Sequence, residues 1–333
     1  MAIHIPQAQL TILQSKYNFK WRKYHHMFLG IAFTKHIDKL FQGNYGKTQI
    51  ELQSLMQDWK KLYVSWSGRI AATKMVILHK IQYLFRSLPI HIPNSYFTKL
   101  HNNISKFIWM GKRAKVALHT LHCPLSEGGM SLPNLKAYSH AAIMNNIVHK
   151  QTAQHNLQWS TIEKQWTKGI ERHHVAWLPR PPNQDWLPTT SLTLKVWDQF
   201  KQNLTSTAPL SRATPIQAFS LIIEDFNYKI WERPRRVLST IYRSMHKKAK
   251  IKEYTFVKAW EKELKKTLSE DTWEIIFTEH QKLTLCASHR ELSKKIMYRW
   301  YLVPTRLAHI SPSKSNKCWR CNTEVGIITH FLA

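Results

Sequence analysis

Hydrophobic positions in this chain fall mostly into helical stripes. The clearest lies in residues 59–93, WKKLYVSWSGRIAATKMVILHKIQYLFRSLPIHIP, where Ile70, Ile77, Ile81, Leu84 and Leu88 return on one face at a period of roughly 3.6 residues. Ser65 or Ser67 can cap this helix, because a hydroxyl there accepts an orphan N–H of the first turn. Pro89 and Pro93 end it by removing donors and enforcing extended backbone. The spacing places Arg69 and Lys80 on one flank beside the apolar seam, which suits phosphate contact and an ordinary basic surface helix alike.

The same reading extends along the chain. Two alternating runs, 17–21 and 28–33, predict short strands in a small hairpin-like piece that cannot bury its own faces. Gly30 supplies a position without Cβ, where chain or ligand can come close. Leu52, Leu55, Met56, Trp59, Leu62 and Tyr63 form one face of a first helix. Phe97, Leu100, Ile104, Phe107 and Ile108 line a third, with Asn94-Ser95 as its cap. Pro124 and Gly128-Gly129 then break the chain, and a fourth helix begins near Pro133 with Leu135, Tyr138 and Ala142 inward.

Residues 151–240 change character. Trp159, Trp166, Trp177, Trp186, Trp197 and Trp231 stand among Pro179, Pro181, Pro182, Pro188, Pro209, Pro215 and Pro234, which reads as an irregular connecting layer. Helical patterning resumes near Ile241, with Tyr242, Met245, Ala249, Phe256 and Trp260 inward. A further helix is expected from Trp273 to about Tyr301, stopped by Pro304. The fold class is therefore mainly α: an N-terminal β-hairpin (1–44), a helical bundle (45–150), a Trp/Pro-rich connector (151–240), C-terminal helices (241–317) and a short cysteine–histidine end (318–333).

Charge adds a partner to this picture. The 333 residues carry 49 Lys plus Arg against 20 Asp plus Glu, a formal +29. Such an excess repels itself unless a polyanion is near, and nucleic acid is the natural one, with an acidic membrane surface as runner-up. Lys247, Lys248, Lys250 and Lys252 form a local cluster, either a nuclear-import signal or a solvated face. Four cysteines are too few for a disulfide framework at this length. The N-terminus has no signal-type apolar core, and no window reaches ~18 uncharged apolar residues. The expectation is an intracellular protein, nuclear or cytoplasmic, neither secreted nor membrane-spanning.

Two constellations bear on chemistry. Cys318, Cys321 and His330 give C-x2-C-x8-H, a spacing able to bring two thiolates and an imidazole around a tetrahedral zinc. A fourth ligand is not supplied by this run; water, His309 or another molecule could complete an otherwise weak site. Two-metal nucleotidyl transfer needs clustered carboxylates, and the adjacent acid pairs Glu224-Asp225 and Glu270-Asp271 read as surface charge. No Walker-type phosphate loop, HExxH or GxSxG motif occurs. These features describe a binding protein or a piece of an enzyme.

Taken in order, Phe28-Leu29-Gly30-Ile31, Trp66-x-Gly68-Arg69-Ile70, Lys74-Met75-x-Ile77-Leu78-x-Lys80, Pro89-Ile90-x-Ile92-Pro93 and Phe107-Ile108-Trp109 resemble the post-catalytic part of LINE-type (non-LTR) retrotransposon reverse transcriptases. Gly128-Gly129 with Leu132-Pro133 and Tyr138, then Tyr301-Leu302-x-Pro304-x-Arg306 and the Cys318–His330 run, continue the resemblance across nearly the whole chain. It implies a primer grip at Phe28-Leu29-Gly30, a thumb over 45–150 that holds a template–primer duplex, a wrist-like connector and a zinc knuckle. The family's catalytic Asp-Asp turn lies upstream of the primer grip, and neither it nor an endonuclease is found here. The knuckle's last cysteine is also missing.

The resulting expectation is a catalytically incomplete reverse-transcriptase fragment that binds RNA or DNA, with no small-molecule substrate. Arg69, Lys74, Lys80, Lys106, Lys112 and Arg113 are the candidate nucleic-acid contacts, and Trp109 the candidate stacking ring. The alternatives are a non-functional translated remnant, a host-adopted nucleic-acid-binding protein, or an enzyme whose palm another chain supplies.

Overall fold

The computed structural model describes residues 5–18, 21, 25–152, 165, 188–202, 234–245, 251–279, 282 and 284–332. Helix α1 (Gln7–Lys16) opens the chain, followed by strands β1 (His25–Phe28) and β2 (Ile31–Thr34). Then come α2 (Asp38–Phe41), α3 (Lys47–Trp59), α4 (Trp66–Ala72), α5 (Leu78–Ser87) and α6 (Asn94–Ile108). Helices α7 (Leu118–His122), α8 (Leu135–Thr152), α9 (Pro188–Gln202) and α10 (Pro234–Ser244) follow. The series ends with α11 (Thr255–Leu264), α12 (Glu270–Glu279), α13 (Ala287–Met297), α14 (Pro304–Ile310) and α15 (Ile328–Leu332). The described residues are mainly helical, with one two-stranded antiparallel sheet. None of the described helices is long and apolar enough to cross a membrane.

The chain divides into two compact units. Met1–Leu62, Lys74–Ile104 and Asn134–His246 form the first; Tyr63–Thr73, Ser105–Pro133 and Lys247–Ala333 form the second. The stretch 45–150, expected as one thumb-like bundle, thus contributes to both.

In the first unit the hairpin register pairs Phe28 with Ile31, leaving Leu29 and Gly30 as a two-residue loop. Both have positive φ, 48° and 78°, the type I′ pattern whose twist matches that of the flanking strands. A π-helical turn, Gln42–Gly46, ties the hairpin down. There the buried Asn44 side chain accepts from the Ala32 amide at 2.8 Å and donates to the Ala32 carbonyl at 3.0 Å. Tyr45 is fully buried and donates to the Leu88 carbonyl at 2.9 Å. Its ring packs with Phe41, Phe85 and Tyr96. Helix α8 packs on α5, α9 and α10, and Tyr138 stacks on Tyr242 with centroids 3.8 Å apart.

The second unit has an indole cluster. Trp66 and Trp109 stack at 5.5 Å and 13°, and Trp300 meets both nearly at right angles. Helix α4, which begins this cluster, is capped by Ser65, whose hydroxyl accepts from the Gly68 amide at 3.1 Å. Gly129 sits so close to the chain that a Cβ would lie 2.0 Å from the Cys123 carbonyl oxygen. At neighbouring Gly128, the carbonyl accepts from the Tyr298 hydroxyl at 2.9 Å.

Several expectations need correction. Tyr17 caps the end of α1 instead of entering a strand; Phe19 and Lys20 lie outside the described residues. Leu62 and Tyr63 fall beyond the end of α3 and are exposed. The connector is not wholly irregular: α9 lies within it and α10 begins in it, running past its expected end at 240, and Leu194, Val196 and Trp197 on α9 are buried. Trp159, Trp166, Trp177, Trp186 and Trp231 lie outside the described residues, as do Lys247, Lys248, Ala249, Lys250 and Glu224-Asp225. The single helix expected from Trp273 is two, α12 and α13. Pro304 starts α14 rather than stopping its predecessor, since the first helical position needs no N–H.

Candidate metal centre and basic faces

The cysteine–histidine run folds into a tight knuckle in the second unit. Lys317 and Val325 form an isolated antiparallel bridge, and the Cys318 amide donates to the Glu324 carbonyl at 2.8 Å. The turn is closed by the Asn322 amide, which donates to the Cys318 carbonyl at 2.9 Å while Asn322 takes a left-handed φ of 56°. Asparagine tolerates that region better than most residues. Helix α15 then brings His330 back over the turn.

Cys318, Cys321 and His330 form a cluster that can hold a metal ion, their ligand atoms all lying within 4.8 Å of one another. Cys321 Sγ is 3.3 Å from His330 Nε2. The other imidazole nitrogen, Nδ1, stands 3.3 Å from a Glu324 carboxylate oxygen, the arrangement that orients metal-ligating histidines. Hydrogen bonds from the Thr323 hydroxyl, from the amides of Glu324 and Thr323, and from His330 pull the Cys321 thiol down to about 6, which favours the thiolate a metal requires. The Arg320 amide points at Cys318 Sγ across 3.4 Å. His309 is exposed and is not part of the cluster among the described residues.

Packing fixes this knuckle. Gly326 lies against Pro304, where a Cβ would come within 2.5 Å of the ring, and its carbonyl accepts from the Thr305 hydroxyl at 3.0 Å. Glu263 on α11 accepts from the amide and hydroxyl of Thr329 and pairs with Arg299. Nothing in the local spacing around Cys318 signals Glu263 or Thr329; Glu324 alone was within reach, as a carboxylate between the second cysteine and the histidine.

The expected nucleic-acid contacts separate into exposed and internal groups. Lys80 is exposed and Lys74 half-buried, both in the first unit. Lys106, Lys112 and Arg113 are exposed in the second. Helix α6 ends there with left-handed Met110 and Gly111, and the Gly111 amide bonds back to the Lys106 carbonyl at 2.8 Å. That Schellman-type closure turns Lys112, Arg113 and Lys115 into solvent.

Arg69 and Trp109 are placed otherwise. Arg69 is only 8% exposed, and its guanidinium donates to the Ile108 carbonyl at 3.1 Å. That oxygen belongs to the last residue of α6, whose final carbonyls have no partner within the helix, so Arg69 serves as a helix terminator. The turn Thr73–Ile77 is π-helical, so the regular phase that put Arg69 and Lys80 on one flank does not carry across it. Trp109 is buried in the indole cluster rather than presented for stacking on bases. Phe28, Leu29 and Gly30 sit at the exposed hairpin tip, where the Tyr83 hydroxyl donates to the Leu29 carbonyl.

No protein-family model matches the chain.

Proposed function

We propose that this chain is a nucleic-acid-binding protein built on basic helices and a zinc knuckle. More particularly, it is the thumb-to-knuckle part of a LINE-type reverse transcriptase, holding a template–primer-like duplex without contributing polymerase carboxylates. The observation that carries the reading is the loop after α6, which sets Lys112, Arg113 and Lys115 in solvent on a chain of formal charge +29. Zinc is the metal proposed for the knuckle, because two cysteines and a histidine form a thiolate–imidazole set. At ordinary bond lengths a tetrahedral zinc separates its sulfur and nitrogen ligands by about 3.6 Å, close to the 3.3 Å between Cys321 and His330.

A mobility-shift titration of the zinc-supplied chain against an RNA–DNA hybrid tests this reading. The expected result is a shifted complex, and no nucleotide incorporation when the protein is offered a primed template alone. A folded protein that leaves the hybrid unshifted in dilute salt contradicts it.

A further inference from the structure

We propose that a notch in the first unit binds a phosphate group, free or as a monoester. It opens between the segment leading into α6, one face of α8 and one face of α9, and encloses about 140 Å³. Small-molecule sites usually run to about 300–1,000 Å³, so a single tetrahedral oxyanion suits this space and a whole nucleotide does not. The α8 wall is Lys136, Ser139, His140 and Ile143, the i, i+3, i+4, i+7 stripe of one helix face. Lys195 lines the notch from α9, and His91 and Asn94 line it where α6 begins.

The polar groups here are mostly donors, and their charge has one sign. Among the described residues no carboxylate lines the notch. Lys136 and Lys195 are both exposed, and neither is ion-paired among the described residues. Ser139 is only 4% exposed, yet its hydroxyl has no hydrogen-bond partner among the described residues. A buried hydroxyl on a cavity wall without a partner is a group that a ligand can satisfy. Burial, and then Lys136 beside it, hold the His140 imidazole down at about 4. At neutral pH that ring is uncharged and keeps one N–H to donate, and the Lys136 charge that helps to depress it attracts an oxyanion. The first amides of α6 have no acceptor within the helix and favour an anion at the same end.

Phosphate answers this set better than a carboxylate does. It brings enough acceptor oxygens for two ammonium groups, an imidazole and a hydroxyl, where a carboxylate brings two oxygens and one charge. A monoester carries nearly two charges at neutral pH, one for each lysine, whereas a phosphodiester carries one. The group can therefore be free phosphate or the terminal phosphate of a strand. The notch lies in the first unit, so it stands independently of the basic loop in the second.

The test titrates the full chain with inorganic phosphate in chloride buffer at neutral pH, followed by calorimetry. One saturable site is expected. Lys136→Met with Lys195→Met should weaken it about tenfold or more, and Ser139→Ala about threefold, with melting temperatures preserved. Lys258→Met with Lys262→Met removes the same charge from exposed positions on α11 and should leave phosphate binding unchanged. Absence of saturation, equal loss in both lysine pairs, or acetate that competes as well as phosphate overturns the site. A 5′-phosphorylated oligonucleotide that outbinds its 5′-hydroxyl twin, with the gain lost in the Lys136 and Lys195 pair, supports the site and makes a strand end the source. Equal binding of the two oligonucleotides beside saturable phosphate binding supports it with free phosphate as the source. Phosphate binding by a chain that holds no strand upholds the notch and contradicts the strand-binding reading alone.

Discussion

Glu263 on α11 accepts two hydrogen bonds from Thr329, one from its amide at 3.0 Å and one from its hydroxyl at 2.7 Å. Thr329 directly precedes His330, so a carboxylate remote in sequence helps to set where the imidazole stands. Burial pushes Glu263 upward, yet the bonds from Thr329 and Arg299 outweigh it and hold the carboxyl below its ordinary range. A carboxylate depressed by folding stabilises the fold above its ordinary range and loses that contribution as pH falls through its lower folded value. The knuckle's attachment is therefore expected to loosen in acid, below the ordinary carboxylate range. Circular dichroism melts at stepped pH should show this, and Glu263→Gln should be less stable at neutral pH and flatter across the acid limb.

Glu324 gives a second prediction through its contact with His330 Nδ1. Partners of this kind typically contribute about 10–100-fold to metal affinity. Glu324→Ala should weaken cobalt or zinc binding by that order, read by absorbance titration against a competing chelator. Unchanged affinity would remove Glu324 from the site.

Arg69 and the exposed cations should part company on mutation. Arg69→Met strips the Ile108 carbonyl of its donor, which should cost about 1–3 kcal/mol of stability without changing the salt dependence of strand binding. Replacing Lys112 and Arg113 by alanine should do the reverse. Thermal melts and salt-dependent anisotropy on the same two variants separate these roles.

Leu29 holds a left-handed φ of 48° while 75% exposed. The left-handed region costs a non-glycine residue roughly 1–2 kcal/mol, and little burial offsets it here. Leu29→Asn should raise stability by about 0.5–1 kcal/mol, measured by denaturant midpoint. If the hairpin tip also grips a strand, as the resemblance implies, the same change should weaken binding.

The helices with strong stripes were legible because core burial follows period. Ile77, Ile81, Leu84 and Leu88 are all buried, as are Phe97, Leu100, Ile104, Phe107 and Ile108; Ile70, expected on the same face, is buried in the other unit, across the π-helical turn. The Ser65 cap was legible for a local reason, since it depends on an N–H three residues away. Helix α9 was hidden by its prolines, although Pro188 stands at the first position of the helix, where proline is tolerated. The inward turn of Arg69 was not legible, because its partner carbonyl is 39 residues distant. At the knuckle the three ligand types could be read from spacing, whereas the Glu263–Thr329 clasp, 66 residues apart, could not.

The measurement closest to the central claim is the affinity of the zinc-supplied chain for a labelled duplex between 50 and 200 mM salt. Lys106, Lys112 and Arg113 of the second unit would neutralise about three phosphates, so log affinity should fall against log salt with a slope of about −3. A folded protein whose binding is absent, or is flat across that range, contradicts the account.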